Sequence, residues 1–206
     1  MQIITVPTGP WSENTYIVSQ NGTDCVLIDP GDGIGDIDRA LEKGGFAVRA
    51  ILLTHFHYDH TISAAYYRDR FNCPIYISEN DSEKLEDPEL NAYNADFAVS
   101  TLPAPHDLRP LFYADTADHA GVRLAVLPTP GHSRGSVCLY GGEDKVLFSG
   151  DTLFNNGIGR MDLYGASMQD MRGSLRSLFR LPEDVTVYPG HGDPTTIGAE
   201  KARYGL

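Results

Sequence analysis

The stretch 55–60, His-Phe-His-Tyr-Asp-His, follows directly after the apolar run 50–53, Ala-Ile-Leu-Leu. Three imidazoles and a carboxylate within six residues predict a metal site, because zinc and similar divalent ions take neutral imidazole nitrogen and carboxylate oxygen as ligands. The alternative interpretation, a polar turn with coincidental histidines, gives no reason for such crowding. The motif therefore places candidate metal ligands at the end of a predicted strand.

Three further segments repeat this arrangement of an apolar strand, a glycine and a side chain that can bind a metal. Glycine allows close approach of the backbone at such points. The segments lead from Val122–Leu127 to His132, from Val146–Ser149 to Asp151, and from Val185–Tyr188 to His191. Open α/β sheets place their sites at the carboxyl ends of strands, so four strand ends can converge on one edge of the fold.

These motifs together supply more ligands than one ion needs. The seven candidate ligands are His55, His57, Asp59, His60, His132, Asp151 and His191. One tetrahedral ion takes about four ligands, counting water. Seven suit two divalent ions that share one carboxylate, with a bridging hydroxide as the nucleophile of a hydrolase that uses no Ser or Cys. Zinc is the expected metal, and iron or manganese are alternatives because such sites bind several metals.

Short β-rich runs alternate with helical ones, which predicts an α/β or α+β sheet architecture in a single domain over residues 1–206. The predicted strands are Thr15–Ser19, Cys25–Ile28, Val48–Leu53, Pro74–Ile77, Val122–Leu127, Ser136–Tyr140, Val146–Ser149 and Val185–Tyr188. The predicted helices are Ile34–Lys43, Thr61–Arg70, Asp81–Glu86 and Ser167–Arg180, with a closing helix near Thr196.

The segment Asp87–Asp118 is rich in Pro and Asp and has weak periodicity, with Leu90, Tyr93 and Phe97 among polar residues. We predict a long loop or lid inserted in the domain, because apolar residues recur through the segment. Tyr93 and Phe97 are candidate walls of a substrate pocket, and simple packing of the loop is the alternative.

The charge balance excludes some partners. The chain has 16 Lys and Arg against 28 Asp and Glu, a formal net charge of −12. A chain this acidic repels phosphate backbones and anionic membrane surfaces, so neither nucleic acid nor a membrane is expected as a partner.

No apolar run approaches the ~18 residues of a membrane span. Three isolated cysteines and an N-terminus without a secretory pattern favour the cytoplasm. The oligomeric state stays open.

Five motifs, in order, resemble the metallo-β-lactamase superfamily and, more narrowly, its short single-domain glyoxalase II-like (hydroxyacylglutathione hydrolase-like) branch. They occupy residues 27–31, 55–60, 129–132, 149–154 and 189–192, and the resemblance runs from about Asn14 to about Gly198. It implies an αββα sandwich of two facing mixed sheets, with helices outside and the metal site at one edge. Such a match is specific for fold and metal site and much less so for substrate.

The resemblance also implies a role for each ligand. In that family's pattern the first metal is bound by His55, His57 and His132, the second by Asp59, His60 and His191, and Asp151 bridges them. Asp59 would also orient the bridging hydroxide, as the catalytic residue. Asp29 would support the ligand loop from behind the ligands.

Two arginines are candidate substrate contacts. Arg160 falls where two-domain glyoxalase II enzymes have a basic substrate contact, and Arg134 lies two residues past His132. The alternatives are a structural ion pair of Arg160 with Asp162, and a solvated Arg134. Those enzymes also carry a C-terminal helical domain that supplies much of the glutathione-binding surface. This sequence is expected to lack it, so glutathione recognition stays open.

The predicted function is a binuclear metal-dependent hydrolase of a small-molecule thioester, of the hydroxyacylglutathione type or another acyl-thiol. A thiol leaving group, with a pKa of about 8.5, requires no strong general acid. A lactonase of the same superfamily and a mononuclear-iron, persulfide dioxygenase-like oxidoreductase are alternatives. A nuclease is disfavoured by the acidic charge, and a non-catalytic binding module would need a damaged ligand set.

Overall fold

Two six-stranded sheets face each other in the computed structural model, which describes residues 1–85, 87, 90, 108–113 and 115–205. The first sheet contains, as neighbours in this order, β1 (Gln2–Thr8), β2 (Glu13–Ser19), β3 (Asp24–Ile28), β4 (Ala47–Leu52), β5 (Ile75–Ile77) and β6 (Leu108–Pro110). The second contains β7 (Thr116–His119), β8 (Val122–Pro128), β9 (Val137–Gly141), β10 (Val146–Gly150), β11 (Thr186–Pro189) and β12 (Thr195–Thr196). The helices are α1 (Ile34–Gly44), α2 (Tyr58–Thr61), α3 (Ala64–Phe71), α4 (Glu79–Ser82), α5 (Met168–Leu178) and α6 (Ile197–Tyr204).

Three hydrophobic layers result from the alternation of side chains along the strands. Val26 and Ile28 of β3 face Phe148 of β10 in the layer between the sheets. The intervening Leu27 packs with Leu41 of α1 on the outer face of the first sheet. On the outer face of the second sheet, α5 and α6 cover a separate cluster of buried residues. This arrangement confirms the αββα sandwich of two mixed sheets.

Parallel pairing brings several strand ends to one edge of the sandwich. β3 pairs with β4 in parallel, and β10 pairs with β11 in parallel, so the carboxyl ends of each pair lie side by side. Backbone hydrogen bonds then join the two sheets at this edge: the N–H of Asn14 donates to the carbonyl of Gly190 (2.7 Å), and that of Val137 to the carbonyl of Thr54 (2.9 Å).

The eight predicted strands are all present, with ends that differ by at most two residues. The four strands that the sequence did not reveal are β1, β6, β7 and β12, and these are the two edge strands of each sheet. Edge strands are short or half exposed, so their sequences lack the apolar runs on which the prediction depended.

Two predicted helices were wrong in extent. The helix predicted over Thr61–Arg70 is divided into α2 and α3, because Ser63 donates its N–H and its hydroxyl to the carbonyls of Pro30 (3.0 Å) and Gly31 (2.6 Å). The helix predicted over Asp81–Glu86 is α4, which begins at Glu79 after the carbonyl of Ser78 accepts the first helical hydrogen bonds.

The predicted loop or lid Asp87–Asp118 also needs correction, because it contains β6 and most of β7. Pairing of β6 with β5, and of β7 with β8, makes this part of the segment a sheet edge and not a loop. Leu90 packs against the cluster on the outer face of the first sheet. Tyr93 and Phe97 lie outside the described residues. Among the helices of the described ranges, none is long and apolar enough to cross a bilayer.

Candidate metal centre

All seven predicted ligand side chains lie together at this edge of the sandwich. Asp59 and His60 lie in α2 and the other five in loops; the stretch 55–60 follows β4, and His132, Asp151 and His191 follow β8, β10 and β11. Glycines beside these ligands allow the loops to approach one another. A Cβ on Gly190 would lie 2.3 Å from Asp151 Oδ1, and one on Gly159 would lie 2.7 Å from His132 Nδ1.

The first group of potential ligands consists of His55, His57 and His132. Each brings one ring nitrogen within 4.8 Å of the others, and all three side chains are buried. His132 Nε2 lies 2.8 Å from His57 Nδ1. Neutral imidazole nitrogens that face each other this closely must share a proton or a cation, because two lone pairs repel.

The second group consists of Asp59, His60 and His191, whose ligand atoms also lie within 4.8 Å of one another. His191 Nε2 lies 3.3 Å from Asp59 Oδ2, and His60 Nε2 lies 3.8 Å from the same oxygen. This group combines one carboxylate with two imidazoles, a donor set that divalent zinc, iron and manganese accept.

Asp151 lies between the two groups and faces both. Its Oδ2 is 3.4 Å from His132 Nε2 of the first group. Its Oδ1 is 3.4 Å from His60 Nε2 and 3.8 Å from His191 Nε2 of the second group. One carboxylate can therefore contribute an oxygen to each side.

The donor atoms at the centre fit a cation. Among the described residues, His55 Nε2, His60 Nε2 and Asp151 Oδ1 are buried and have no hydrogen-bond partner. A buried polar atom without a partner costs about 1–3 kcal/mol, so a cluster of three such atoms needs a compensating ligand. Divalent metal ions compensate this set of nitrogen and oxygen donors.

Asp29 connects the ligands of both groups from behind. Its Oδ2 lies 3.1 Å from His60 Nδ1 and accepts the hydroxyl hydrogen of Thr54 at 2.6 Å. Thr54 Oγ1 can then accept from His55 Nδ1, which lies 3.0 Å away. Such bonds on the outer nitrogen fix the tautomer and aim Nε2 at the centre.

Two backbone carbonyls support His132 and His191 in the same way. His132 Nδ1 donates to the carbonyl of Arg160 at 2.9 Å, and His191 Nδ1 to the carbonyl of Trp11 at 3.2 Å. The loops that carry Arg160 and Trp11 are therefore attached directly to the ligands.

Glu13 is a buried acid at the site that the sequence did not reveal. Its Oε1 lies 3.6 Å from His60 Nδ1, and its Oε2 accepts the hydroxyls of Thr8 (2.6 Å) and Thr15 (3.2 Å). Burial raises the pKa of Glu13 well above its usual range. The sequence around Glu13 has no motif that indicates a site, because its neighbour His60 lies far away along the chain, in α2.

The two groups differ in their affinity for protons. Burial lowers the pKa of His57 to about 3, with a further contribution from His132, and burial also lowers the pKa of His55. Burial alone would lower the pKa of His60 as well, but the carboxylates of Asp59 and Asp151 outweigh it and raise that pKa. Without metal, the first group therefore keeps His55 and His57 neutral while the second group binds protons.

A cavity of about 600 Å³ opens over this cluster. Five of the ligands form its floor: His57, Asp59, His132, Asp151 and His191. Its walls are mostly apolar, formed by Trp11, Tyr58, Phe154, Ile158 and Leu163. The sequence did not indicate these wall residues, because they carry no motif and come from separate loops.

Of the two arginines predicted to contact substrate, one lines the cavity and the other does not. Arg160 lines the cavity and makes a double ion pair with Asp162, Nε to Oδ1 at 2.7 Å and Nη2 to Oδ2 at 2.6 Å. Arg134 is exposed, lies beside Gly165 and is not among the described residues that line the cavity. Its neighbours Ser133 and Gly135 are both hydrogen-bonded to buried Asp81, and the side chain between them projects outward.

Residues 8–191 match the family model of the metallo-beta-lactamase superfamily. The chain therefore belongs to this superfamily, as its motifs predicted, and the superfamily is metal-dependent.

Named relatives and solved structures agree with this assignment. The probable metallo-hydrolase YqgX of Bacillus subtilis is 34% identical over 200 residues, which cover 95% of this chain and 92% of that protein. The hydroxyacylglutathione hydrolase GloC of Haemophilus influenzae is 29% identical over 205 residues, which cover 98% of this chain and 95% of that protein.

The BLEG-1 B3 metallo-beta-lactamase superposes with a TM-score of 0.90 at 34% identity over 98% of this chain and 97% of that chain. TTHA1623 in a di-iron-bound form gives 0.87 at 37% identity over 97% of both. The family and these names support a metal-dependent hydrolase.

Proposed function

We propose that this protein is a binuclear metallohydrolase of small-molecule thioesters, of the hydroxyacylglutathione type or another acyl-thiol. The observation that carries the proposal is the position of Asp151 between two groups of three ligands, at distances of 3.4 to 3.8 Å from their ring nitrogens. The relative named hydroxyacylglutathione hydrolase supports the thioester class.

In this proposal His55, His57 and His132 bind the first ion, Asp59, His60 and His191 bind the second, and Asp151 contacts both. Two bound ions would polarise the thioester carbonyl and lower the pKa of a water molecule beside them. Zinc is the metal we propose. The iron in TTHA1623 supports iron as the alternative, because the same donors accept several divalent metals.

Asp59 is the proposed catalytic residue. It lines the cavity floor and is partly exposed there. Burial would raise its pKa, but His60 and His191 outweigh that effect and lower it, so the carboxylate stays ionised. An ionised carboxylate at this position can accept a hydrogen from the attacking water and orient its lone pair toward the substrate carbonyl. The thiolate then leaves without a general acid, because a thiol has a pKa of about 8.5.

Metal analysis and a substrate panel test this proposal together. Protein purified without added metal is analysed by mass spectrometry, and the loaded enzyme is then assayed on a thioester, a lactone and a β-lactam. The β-lactam is included because BLEG-1 is named a metallo-beta-lactamase. We expect about two ions per chain and the highest kcat/KM on the thioester. One iron per chain with oxygen consumption, or turnover of only the lactone or the β-lactam, would contradict the proposal.

A further inference from the structure

The cavity above the ligands offers a substrate an apolar surface and very little free charge. Trp11, Phe154, Ile158 and Leu163 form much of its wall, and Arg160 is the only Arg or Lys among the described residues that line it. Beyond the metal ions that the floor would hold, an anionic substrate would therefore depend on Arg160 for a positive partner, because the chain as a whole has a net charge of −12.

The backbone of Arg160 is fixed to the candidate metal centre. Its carbonyl accepts a hydrogen bond from His132 Nδ1 at 2.9 Å. The preceding Gly159 packs so closely that a Cβ there would lie 2.1 Å from the carbonyl oxygen of Asp151. The position at which the Arg160 side chain enters the cavity wall is therefore set by the ligands themselves.

The guanidinium of Arg160 is already occupied by an acid from its own loop. Nε and Nη2 donate to the two oxygens of Asp162 at 2.7 and 2.6 Å. These two donors form the planar fork with which arginine binds a carboxylate in two parallel hydrogen bonds. The arginine beside it lowers the pKa of Asp162 to about 2, so the pair stays ionised at any working pH and presents no net charge to a substrate.

We propose that Asp162 is a specificity-determining residue that occupies Arg160 and thereby lowers affinity for anionic thioesters. Of the two substrate types proposed above, acyl-thiols with an uncharged thiol are then preferred over the anionic hydroxyacylglutathione type. This inference rests on the proposed thioester hydrolysis and adds the charge class of the substrate.

The test compares two thioesters with the same acyl group and different thiols. S-lactoylglutathione carries a net negative charge on its thiol portion, and S-lactoyl-N-acetylcysteamine is uncharged. The readout is the ratio of kcat/KM for the anionic substrate to kcat/KM for the uncharged one. Asp162→Asn frees Arg160, and we expect this ratio to rise by about threefold at low salt, the size of an exposed ion pair. The rise should disappear in ~1 M salt, where charges are screened over about 3 Å.

Two further variants separate this explanation from others. The double variant Arg160→Ala/Asp162→Asn removes both charges, and we expect its ratio to equal that of the wild type. Asp184→Asn removes an equal charge from the exposed pair with Lys145, at the amino ends of β10 and β11 and away from the ligands, and should leave the ratio unchanged.

The possible outcomes are distinct. An unchanged ratio in Asp162→Asn overturns the inference. A ratio in the double variant well below that of the wild type does so too, because Arg160 would then already contact the anion. Absence of turnover of both thioesters by metal-loaded wild-type enzyme contradicts the proposed function instead.

Discussion

Asp29 illustrates how one side chain prepares two ligands for a metal. It contacts His60 directly and His55 through Thr54, and its φ of 48° is a conformation that few non-glycine residues adopt. We expect Asp29→Asn to weaken metal affinity by about 10- to 100-fold, because an amide cannot accept all the hydrogen bonds that orient the two histidines. Competition with a chelator measures this. Asp24→Asn, at the other end of β3 in an ion pair with Arg49, is the control that should keep wild-type affinity.

Asp151 and Asp59 are both acids of the cluster, but their positions predict different phenotypes. Asp151 faces both ligand groups, so Asp151→Ala should lose at least one metal and most of the activity. Asp59 contributes a single oxygen to the second group, so Asp59→Asn should keep much of the metal and lose rate if Asp59 orients the nucleophile. Metal content and kcat are measured on both variants. Full activity in either would disprove the role assigned to it.

The opposite pKa shifts within the cluster predict an order of metal release. The pKa of His60 is raised by Asp59 and Asp151 despite its burial, so protons compete for the second group already near neutral pH. The pKa of His57 is lowered to about 3, so protons compete for the first group only in much stronger acid. As the pH falls, the second group should therefore lose its ion before the first group does. Equilibrium dialysis with metal analysis at each pH checks this.

His191→Ala supplies the control for that experiment. It removes one ligand of the second group only, so the ion that remains should dissociate at the lower pH of the first group. Simultaneous loss of both ions in the wild type, or loss of the first group's ion at the higher pH, would contradict the predicted order.

At the scale of strands and helices, the sequence predicted the central strands of both sheets but not their edge strands. The central strands β3, β4 and β10 are largely buried, and β11 alternates buried and half-buried residues. These strands are therefore recognisable in the sequence as apolar runs. β12 has two residues, and β6 has three, two of them exposed. Such strands form because a neighbouring strand offers hydrogen bonds. Their own sequences have no periodicity that would predict this pairing.

The candidate site also has a part that the sequence predicted and a part that it did not. The ligands were predictable because each lies in a short motif that follows a predicted strand. Glu13 and Trp11 were not, because their contacts with His60 and His191 join residues that are 47 and 180 positions apart (60 − 13 and 191 − 11). The spacing of a motif shows which residues bind together, but the wall and the support of a site come from the packing of whole elements.

The loops that carry the ligands depend on glycines for their close approach, and Gly190 tests this. A Cβ there would lie 2.3 Å from Asp151 Oδ1 and 2.6 Å from His60 Cε1. His60 is held by Asp29 and Asp151 lies between the two ligand groups, so a displacement of either by Gly190→Ala should lower the metal content. Gly173→Ala in α5 is the matched control: no described atom lies within 4 Å of a Cβ there, and alanine should stabilise the helix by about 0.5–1 kcal/mol. Equal metal content in the two variants would contradict this explanation.

At the scale of the whole molecule, the candidate metal centre lies between the two sheets, so bound metals would help to join them. His55, His57, Asp59 and His60 follow a strand of the first sheet, and His132, Asp151 and His191 follow strands of the second. Each ligand group contains residues from both sheets. A bound ion would therefore connect the two halves of the sandwich at the edge where the cavity opens.

Metal removal should consequently lower the stability of the entire fold and not only the activity. A ligand at 100 times its Kd stabilises the native state by about 2.7 kcal/mol, and 1 kcal/mol shifts Tm by roughly 2–4 °C in a chain of this size. We expect the chelator-treated protein to unfold about 5–10 °C below the metal-loaded one in calorimetry, as a single transition because both sheets share the loss. Asp151→Ala, which removes the contact between the groups, should show a smaller metal-dependent shift than the wild type. Identical melting of loaded and metal-free protein, or melting of one sheet before the other on chelation, would show that the ions do not join the two sheets.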